Sequence, residues 1–140
     1  MAKSSLTLYL YSFGFKYSGI PQDPTANGGG FVFDCRALPN PFWLEHLRPY
    51  SGLDEPIVRF MENEAEVQEY ARHAEALVLF TARTYQKLER ERLMVSFGCT
   101  GGRHRSVYQA QRLAGVLEQA GFTVQVVHLD VQREEGRGVA

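Results

Sequence analysis

Cysteine occurs only twice, at Cys35 and Cys99, and neither lies in a CxxC or related spacing. The histidines His46, His73, His104 and His128 are scattered along the chain. A zinc site made of clustered Cys and His ligands is therefore not expected, nor is any other metal or cofactor. No apolar run approaches the roughly 18 residues that would cross a bilayer. The first residues, MAKSSLTLYLYSFGF, carry one lysine, are broken by Ser12 and Gly14, and lack a small-residue cleavage pattern. They read as a first strand, not a signal peptide. The expectation is a cytoplasmic protein with reduced thiols and no membrane partner. Neither sign of charge dominates, since 15 Lys and Arg face 16 Asp and Glu for a formal net charge of −1. That balance argues against strong non-specific nucleic-acid binding, which needs many unopposed cations on phosphates, and leaves only a local basic patch open. GxxxxGK[ST] is also absent, so a nucleoside triphosphate is not the default ligand.

What is present reads as one globular domain: 140 residues, 44% of them hydrophobic. Apolar, β-branched and aromatic runs predict strands over 6–11, 31–35, 92–98 and 122–129. Between the first two lies loop chemistry over 12–30, with a tip at Gly28, Gly29 and Gly30. Four prolines over 36–56 leave room only for a short helix over 42–47. Asn63 and Glu66 have the spacing of a capping box, and apolar residues then recur at helical spacing, predicting a helix over 64–91 with Tyr70 and Tyr85 in its packing face. A second helix runs from 103 or 104 to 120 and stops at Gly121. Strand, loop, helix and strand over 92–129 form a βαβ unit, which calls for parallel strands and a right-handed crossover. The expected fold is α/β, a single domain over 1–130 with a small mixed or parallel sheet flanked by helices. A polar, disordered tail follows over 131–140.

The loop that leaves the third strand reads CTGGRHRS, from Cys99 to Ser106. Loops at the carboxyl ends of parallel strands are the usual ligand sites of such folds. The first N–H groups of the next helix lack internal partners and favour an anion. Gly101 and Gly102 let the backbone approach one closely. Thr100 and Ser106 add hydroxyls, Arg103 and Arg105 add charge, and His104 adds a group whose protonation would tune binding with pH. The loop is therefore read as a phosphate cradle.

The same residues also read as C-x5-R-S, the pattern of cysteine-dependent phosphatases. Cys99 would be the nucleophile, Arg105 the phosphate clamp and Ser106 the partner of the leaving thiolate. Against this, Gly98 stands where a histidine normally precedes the cysteine, and no WPD-like acid loop occurs, leaving only Asp34 or Asp54 as an acid. The alternative role for Cys99 is a small buried residue at a strand end.

Four segments in register, LYLYSFGFKYSGIP, FVFDCRALPNPFW, LRPYSGLDEPIVRF and VSFGCTGGRHRSVYQAQRLA, resemble the C-terminal domain of the RapZ (YvcJ) family of bacterial RNase adapter proteins. The resemblance covers about residues 8–128. It implies an α/β domain similar to a subdomain of phosphofructokinase that self-associates. In the best-known member this domain senses glucosamine-6-phosphate and binds small RNAs. The sugar phosphate would sit on Cys99, Thr100, Gly101, Gly102, Arg103, His104, Arg105 and Ser106, with Asp34, Arg36 and Asn40 completing the pocket. The larger members carry a P-loop kinase-like domain that this chain lacks, so a stand-alone domain is expected. Tyr17 and Phe42 replace histidines common in the family, and Cys35 stands where Val is usual. The tail DVQREEGRGVA has two arginines against three acidic residues, unlike the basic end of the RNA-binding member. Lys3, Lys16, Arg36, Arg48 and Arg59 are the remaining cations toward RNA.

The leading expectation is a non-enzymatic module that binds a small phosphorylated sugar and regulates through association, as a homo-oligomer or with a protein partner. A small-RNA adapter and a phosphatase are the alternatives, in that order.

Overall fold

The computed structural model describes residues 6–26 and 29–133. Four strands, β1 (Thr7–Gly14), β2 (Gly30–Asp34), β3 (Arg92–Cys99) and β4 (Thr123–His128), form one wholly parallel sheet in the order β2-β3-β1-β4. The expected βαβ unit therefore spans β1, which lies between β3 and β4. Helices α1 (Glu55–Glu62), α2 (Ala65–Lys87) and α3 (Arg105–Gln119) complete a single α/β domain. The expected tip at Gly28 and the tail beyond residue 133 lie outside the described residues.

Alternation along the strands sends Leu8 and Leu10 of β1 and Leu93, Val95 and Phe97 of β3 to one face. There they pack against Val67, Ala74, Val78 and Ala82 of α2 and Leu113, Ala114 and Leu117 of α3. Full burial of each Leu, Val or Phe among them is worth about 1.5–3 kcal/mol, so this face holds the domain together. On the other face Phe15 packs edge-on to Phe13 at 4.8 Å, and Asp23 pairs with Arg92 at 3.5 Å. The connection from β1 to β2 thus crosses the face without helices. Handedness accounts for this: that connection runs across the sheet in the opposite direction to the other two, so the same hand puts it on the opposite face.

Four local expectations are corrected. Asn63 does not open a helix; it closes α1, its N–H meeting the carbonyls of Arg59, Phe60 and Met61. α2 begins at Ala65 without a side-chain cap, so the Asn63–Glu66 capping box does not form, and it ends at Lys87 rather than residue 91. α1 starts after Asp54 with Pro56 in its first turn, where a missing N–H costs nothing, so the last of the four prolines begins a helix. The short helix over 42–47 is two 3-10 turns, Pro41–Trp43 and Glu45–Leu47. The buried stripe of α2 is Val67, Ala71, Ala74, Val78 and Ala82, while Leu77 and Phe80 face outward, Phe80 at 72% exposure. α3 ends as expected: Gly121 has φ +95°, its N–H donates to Glu118 O, and the Phe122 N–H donates to Leu117 O. This is a Schellman motif with Phe122 packed in the core. No helix among the described residues is long and apolar enough to cross a membrane.

Candidate functional site

Parallel strands bring all their carboxyl ends to one edge. After β1 the chain leaves on one face, and after β3 it enters α3 on the other. Because β1 and β3 are neighbours, the edge opens between them, at the position where ligands bind in such sheets. The Cys99–Ser106 loop lies here, beside the turn that follows Gly14. The β1–β3 ladder continues into both, with Phe15 N–H on Cys99 O at 2.8 Å and Lys16 N–H on Thr100 O at 3.2 Å.

Close backbone approach explains the glycines. A Cβ on Gly14 would sit 2.6 Å from the Gly101 carbonyl carbon. Gly102 has φ +81°, and a Cβ there would lie 2.5 Å from Gly14 N and 2.8 Å from the Asp130 Cβ. The loop is thereby pressed flat against the end of β1. The N–H groups of Gly101, Gly102, Arg103, His104 and Arg105 have no acceptor among the described residues. Only the second N–H of α3 is capped: Ser106 N–H points to Cys99 Sγ at 3.4 Å, and the two side chains meet at 3.2 Å. Cys99 is fully buried and caps α3.

The basic side chains of the loop are mostly held by backbone carbonyls. Arg103 donates to Val131 O at 3.2 Å and Arg48 O at 3.3 Å. Arg105 is 3% exposed and donates through one terminal nitrogen to Arg36 O at 2.9 Å and Leu38 O at 3.1 Å. Its Nε–H is buried without an acceptor, and among the described residues no carboxylate pairs with it. A buried guanidinium without an anion is costly unless a ligand supplies one.

His104 is buried with Nε2 at 2.5 Å from Tyr50 O, which makes Nε2 the protonated nitrogen and leaves Nδ1 a bare, unpartnered acceptor. Burial pulls its pKa down to about 4; the bond to Tyr50 opposes this, and the charges of Arg103 and Arg105 add to it. The ring is therefore neutral near pH 7, which places any tuning of binding by its protonation in the acidic range. The unfolded chain takes up this proton near pH 6.5 and the folded chain near 4. The stabilisation is therefore complete above about pH 6.5 and falls as pH drops toward 4, by about 3 kcal/mol in total. Urea unfolding across that window should show a shallower slope for His104→Asn. The slope from His128, also lowered by burial, stays in both proteins. Equal slopes for the two proteins would refute the assignment.

Asp34 and Arg36 reach the same edge, at the end of β2, but they grip each other at 2.7 Å. That bond holds the Asp34 carboxyl below its usual range despite some desolvation. Arg105 lies within electrostatic reach of Asp34 without bonding to it. The Arg36 guanidinium also stacks on Phe15 at 3.8 Å. Asn40 caps the first 3-10 turn, its Oδ1 accepting from Phe42 N–H at 3.0 Å. Of the two aromatic replacements, Phe42 borders the loop, 6.5 Å from the His104 ring, while Tyr17 lies under Arg133 at 4.2 Å.

Sequence reasoning missed Asp130, which is 1% exposed. Its carboxylate accepts from Gly14 N–H at 2.7 Å, Ser18 N–H at 3.2 Å, the Ser18 hydroxyl at 2.7 Å and Arg133 at 2.9 Å. Burial pushes the carboxyl up, but these donors outweigh it and lower the pKa. Asp130 thus ties the end of β4 to the turn beside the loop. Its place just beyond a strand in a βαβ unit was the available signal. Val131, assigned to the tail, instead receives Arg103.

Residues 6–132 match the family model described as the RapZ C-terminal domain. Among curated proteins, the chain is 39% identical to a nucleotide-binding protein of Vibrio cholerae over 133 residues, 95% of this chain and 44% of that protein. A nucleotide-binding protein of Glaesserella parasuis is 39% identical over 132 residues, 94% of this chain and 44% of its own. One from Alkalilimnicola ehrlichii is 41% identical over 128 residues, 91% of this chain and 42% of its own. The chain spans less than half the length of these relatives, so the match is to one part of them. Matched almost from end to end, the chain belongs to the RapZ C-terminal domain family.

Proposed function

We propose that this domain is a regulatory module that binds a small phosphorylated metabolite, a hexosamine phosphate such as glucosamine-6-phosphate, at the Cys99–Ser106 loop. The observation that carries this reading is Arg105: a buried cation with a free Nε–H and no carboxylate partner among the described residues, beside a row of N–H groups without acceptors. A phosphate supplies the missing negative charge and takes several of those donors at once. Thr100, half-buried at the start of the loop, is a neighbouring polar group suited to a sugar hydroxyl. Asp34 at the same edge accepts from such groups if Arg36 swings away.

Calorimetric titration with a panel of phosphorylated and unphosphorylated hexoses and hexosamines tests the reading. Binding is expected only for the phosphorylated members. Arg105→Lys, which keeps the charge but loses the planar donor pair, should weaken it roughly ten- to a hundredfold. No binding by the wild type across the panel would refute the proposal.

A small-RNA adapter ranks second. Arg48 lies over the Phe42 ring at 4.9 Å, and the neighbouring Trp43 is exposed, a cation-and-ring combination suited to unstacked bases, although Arg48 also donates to Phe42 O. Binding that falls steeply with salt would favour it. A phosphatase ranks last, because the Cys99 sulfur is buried and committed to Ser106.

A further inference from the structure

The β2–β3 ladder pairs Phe33 with Phe97 and Asp34 with Gly98. It continues one residue further, with Cys35 N–H on Gly98 O at 2.7 Å. The next opposed pair is therefore Cys35 and Cys99, the two cysteines of the chain. Alternation places both side chains on the helix-covered face, one rung beyond the Phe33 and Phe97 rings, which stack at 5.2 Å. Both thiols are free and fully buried. Neighbouring strands run about 4.8 Å apart, inside the roughly 4.4–6.8 Å between Cα atoms that a disulfide accepts. Such a bond requires rotation of the two side chains and little backbone movement. Cys99 Sγ is now turned to Ser106, and Cys35 Sγ contacts Phe33 O at 3.9 Å and the Tyr70 hydroxyl.

We propose that Cys35 and Cys99 form a dithiol–disulfide couple at the base of the loop, oxidised by a small-molecule disulfide, and that oxidation weakens anion binding. The second half rests on the phosphate reading above; the thiol chemistry does not. Cys99 attacks first: it ends β3 at the positive N-terminus of α3, and its buried sulfur reaches the disulfide when residues 100–104 lift from the end of β1, whereas burial pushes the Cys35 thiol well up. Its sulfur displaces one thiolate from the small disulfide, giving a mixed disulfide. Cys35 then attacks the Cys99 sulfur and expels the second thiolate. The pair loses two electrons, the small disulfide becomes two thiols, and the protons of Cys35 and Cys99 end on them. In the product the Cys99 sulfur leaves Ser106, so α3 loses the cap on its second N–H. The loop base also becomes tied to Cys35, next to the Arg36 carbonyl that positions Arg105.

The test is exposure of the folded 140-residue chain to glutathione disulfide, then unfolding with an alkylating agent and peptide mass mapping. The expected result is a Cys35–Cys99 link, reversed by dithiothreitol, with neither cysteine alkylated. Cys35→Val should lose the link and carry glutathione on Cys99, and Cys35→Ala guards against a packing artefact of the larger side chain. In titrations with inorganic phosphate, the oxidised wild type should bind about tenfold more weakly than the reduced protein, the equivalent of one lost hydrogen bond. Alkylation of both cysteines, or separate glutathione adducts on each, overturns the couple; a link with unchanged phosphate affinity overturns its effect on binding. A reduced protein that ignores phosphate but still forms the link defeats the phosphate reading alone.

Discussion

Gly102→Ala should destabilise the domain by about 3 kcal/mol or more and abolish phosphate binding. Left-handed backbone costs an L-residue about 1–2 kcal/mol. The new Cβ would meet Gly14 N at 2.5 Å and the Asp130 Cβ at 2.8 Å, neither of which is the movable tip of a side chain. Relief requires parting the loop from the end of β1, adding an overpacking cost of about 1–3 kcal/mol. The parted loop would no longer hold its N–H groups in one cradle. Gly115→Ala is the matched control. It lies within α3 with nothing within 4 Å of its added Cβ, so it should stabilise by about 0.5–1 kcal/mol through helix propensity. Chemical denaturation of both variants, with phosphate titration of Gly102→Ala, decides the matter. Wild-type stability and affinity in Gly102→Ala would mean that the loop is not pressed against β1.

Asp130→Ala is expected to cost about 2–4 kcal/mol, although none of the hydrogen bonds of its carboxylate runs to a helix. The substitution strands the buried Gly14 N–H and leaves the Ser18 N–H and hydroxyl to find water. An unsatisfied buried donor costs about 1–3 kcal/mol, and the lost bonds were to a charged acceptor. Asp130→Asn keeps the volume and one acceptor oxygen, so it should fall between wild type and Ala. Because the carboxyl is held below its usual pKa, its contribution is present above about pH 4 and is lost as pH falls through the lowered value. That window lies below the one governed by His104, so a pH series of unfolding curves separates them. Asp130→Ala within about 0.5 kcal/mol of wild type would refute the tie between β4 and the β1 turn.

Much of this site was legible in one dimension because its chemistry is local. Adjacent glycines, hydroxyls and arginines between a buried strand and a helix stand out within eight residues, and Cys99, Thr100 and Ser106 needed no distant partner to be noticed. The fate of the side chains was not legible. Arg105 spends one nitrogen on the carbonyls of Arg36 and Leu38. His104 stays neutral because residues 48–52 fold over it. Arg36 is matched to Asp34 rather than left free. Asn63 illustrates a different failure. Its spacing from Glu66 satisfies a capping box, but the preceding residues Ile57 and Met61 find the core and form α1, so the same asparagine closes a helix instead of opening one.

The sequence by itself determined the α/β class, the strands, the terminus of α3 at Gly121 and the place of the Cys99–Ser106 loop between β3 and α3. Each of these follows from periodicity, turn chemistry or backbone freedom within a few residues. Only the tertiary structure decided that β1 lies between β3 and β4, since strand order depends on which long connections cross which face. That order sets the carboxyl ends of β1 and β3 side by side, presses Gly14 onto Gly102, brings Asp130 to the turn after β1 and opposes Cys35 to Cys99. Such contacts join residues far apart in the chain, and their energies arise from burial and from matched donors and acceptors that no local pattern encodes.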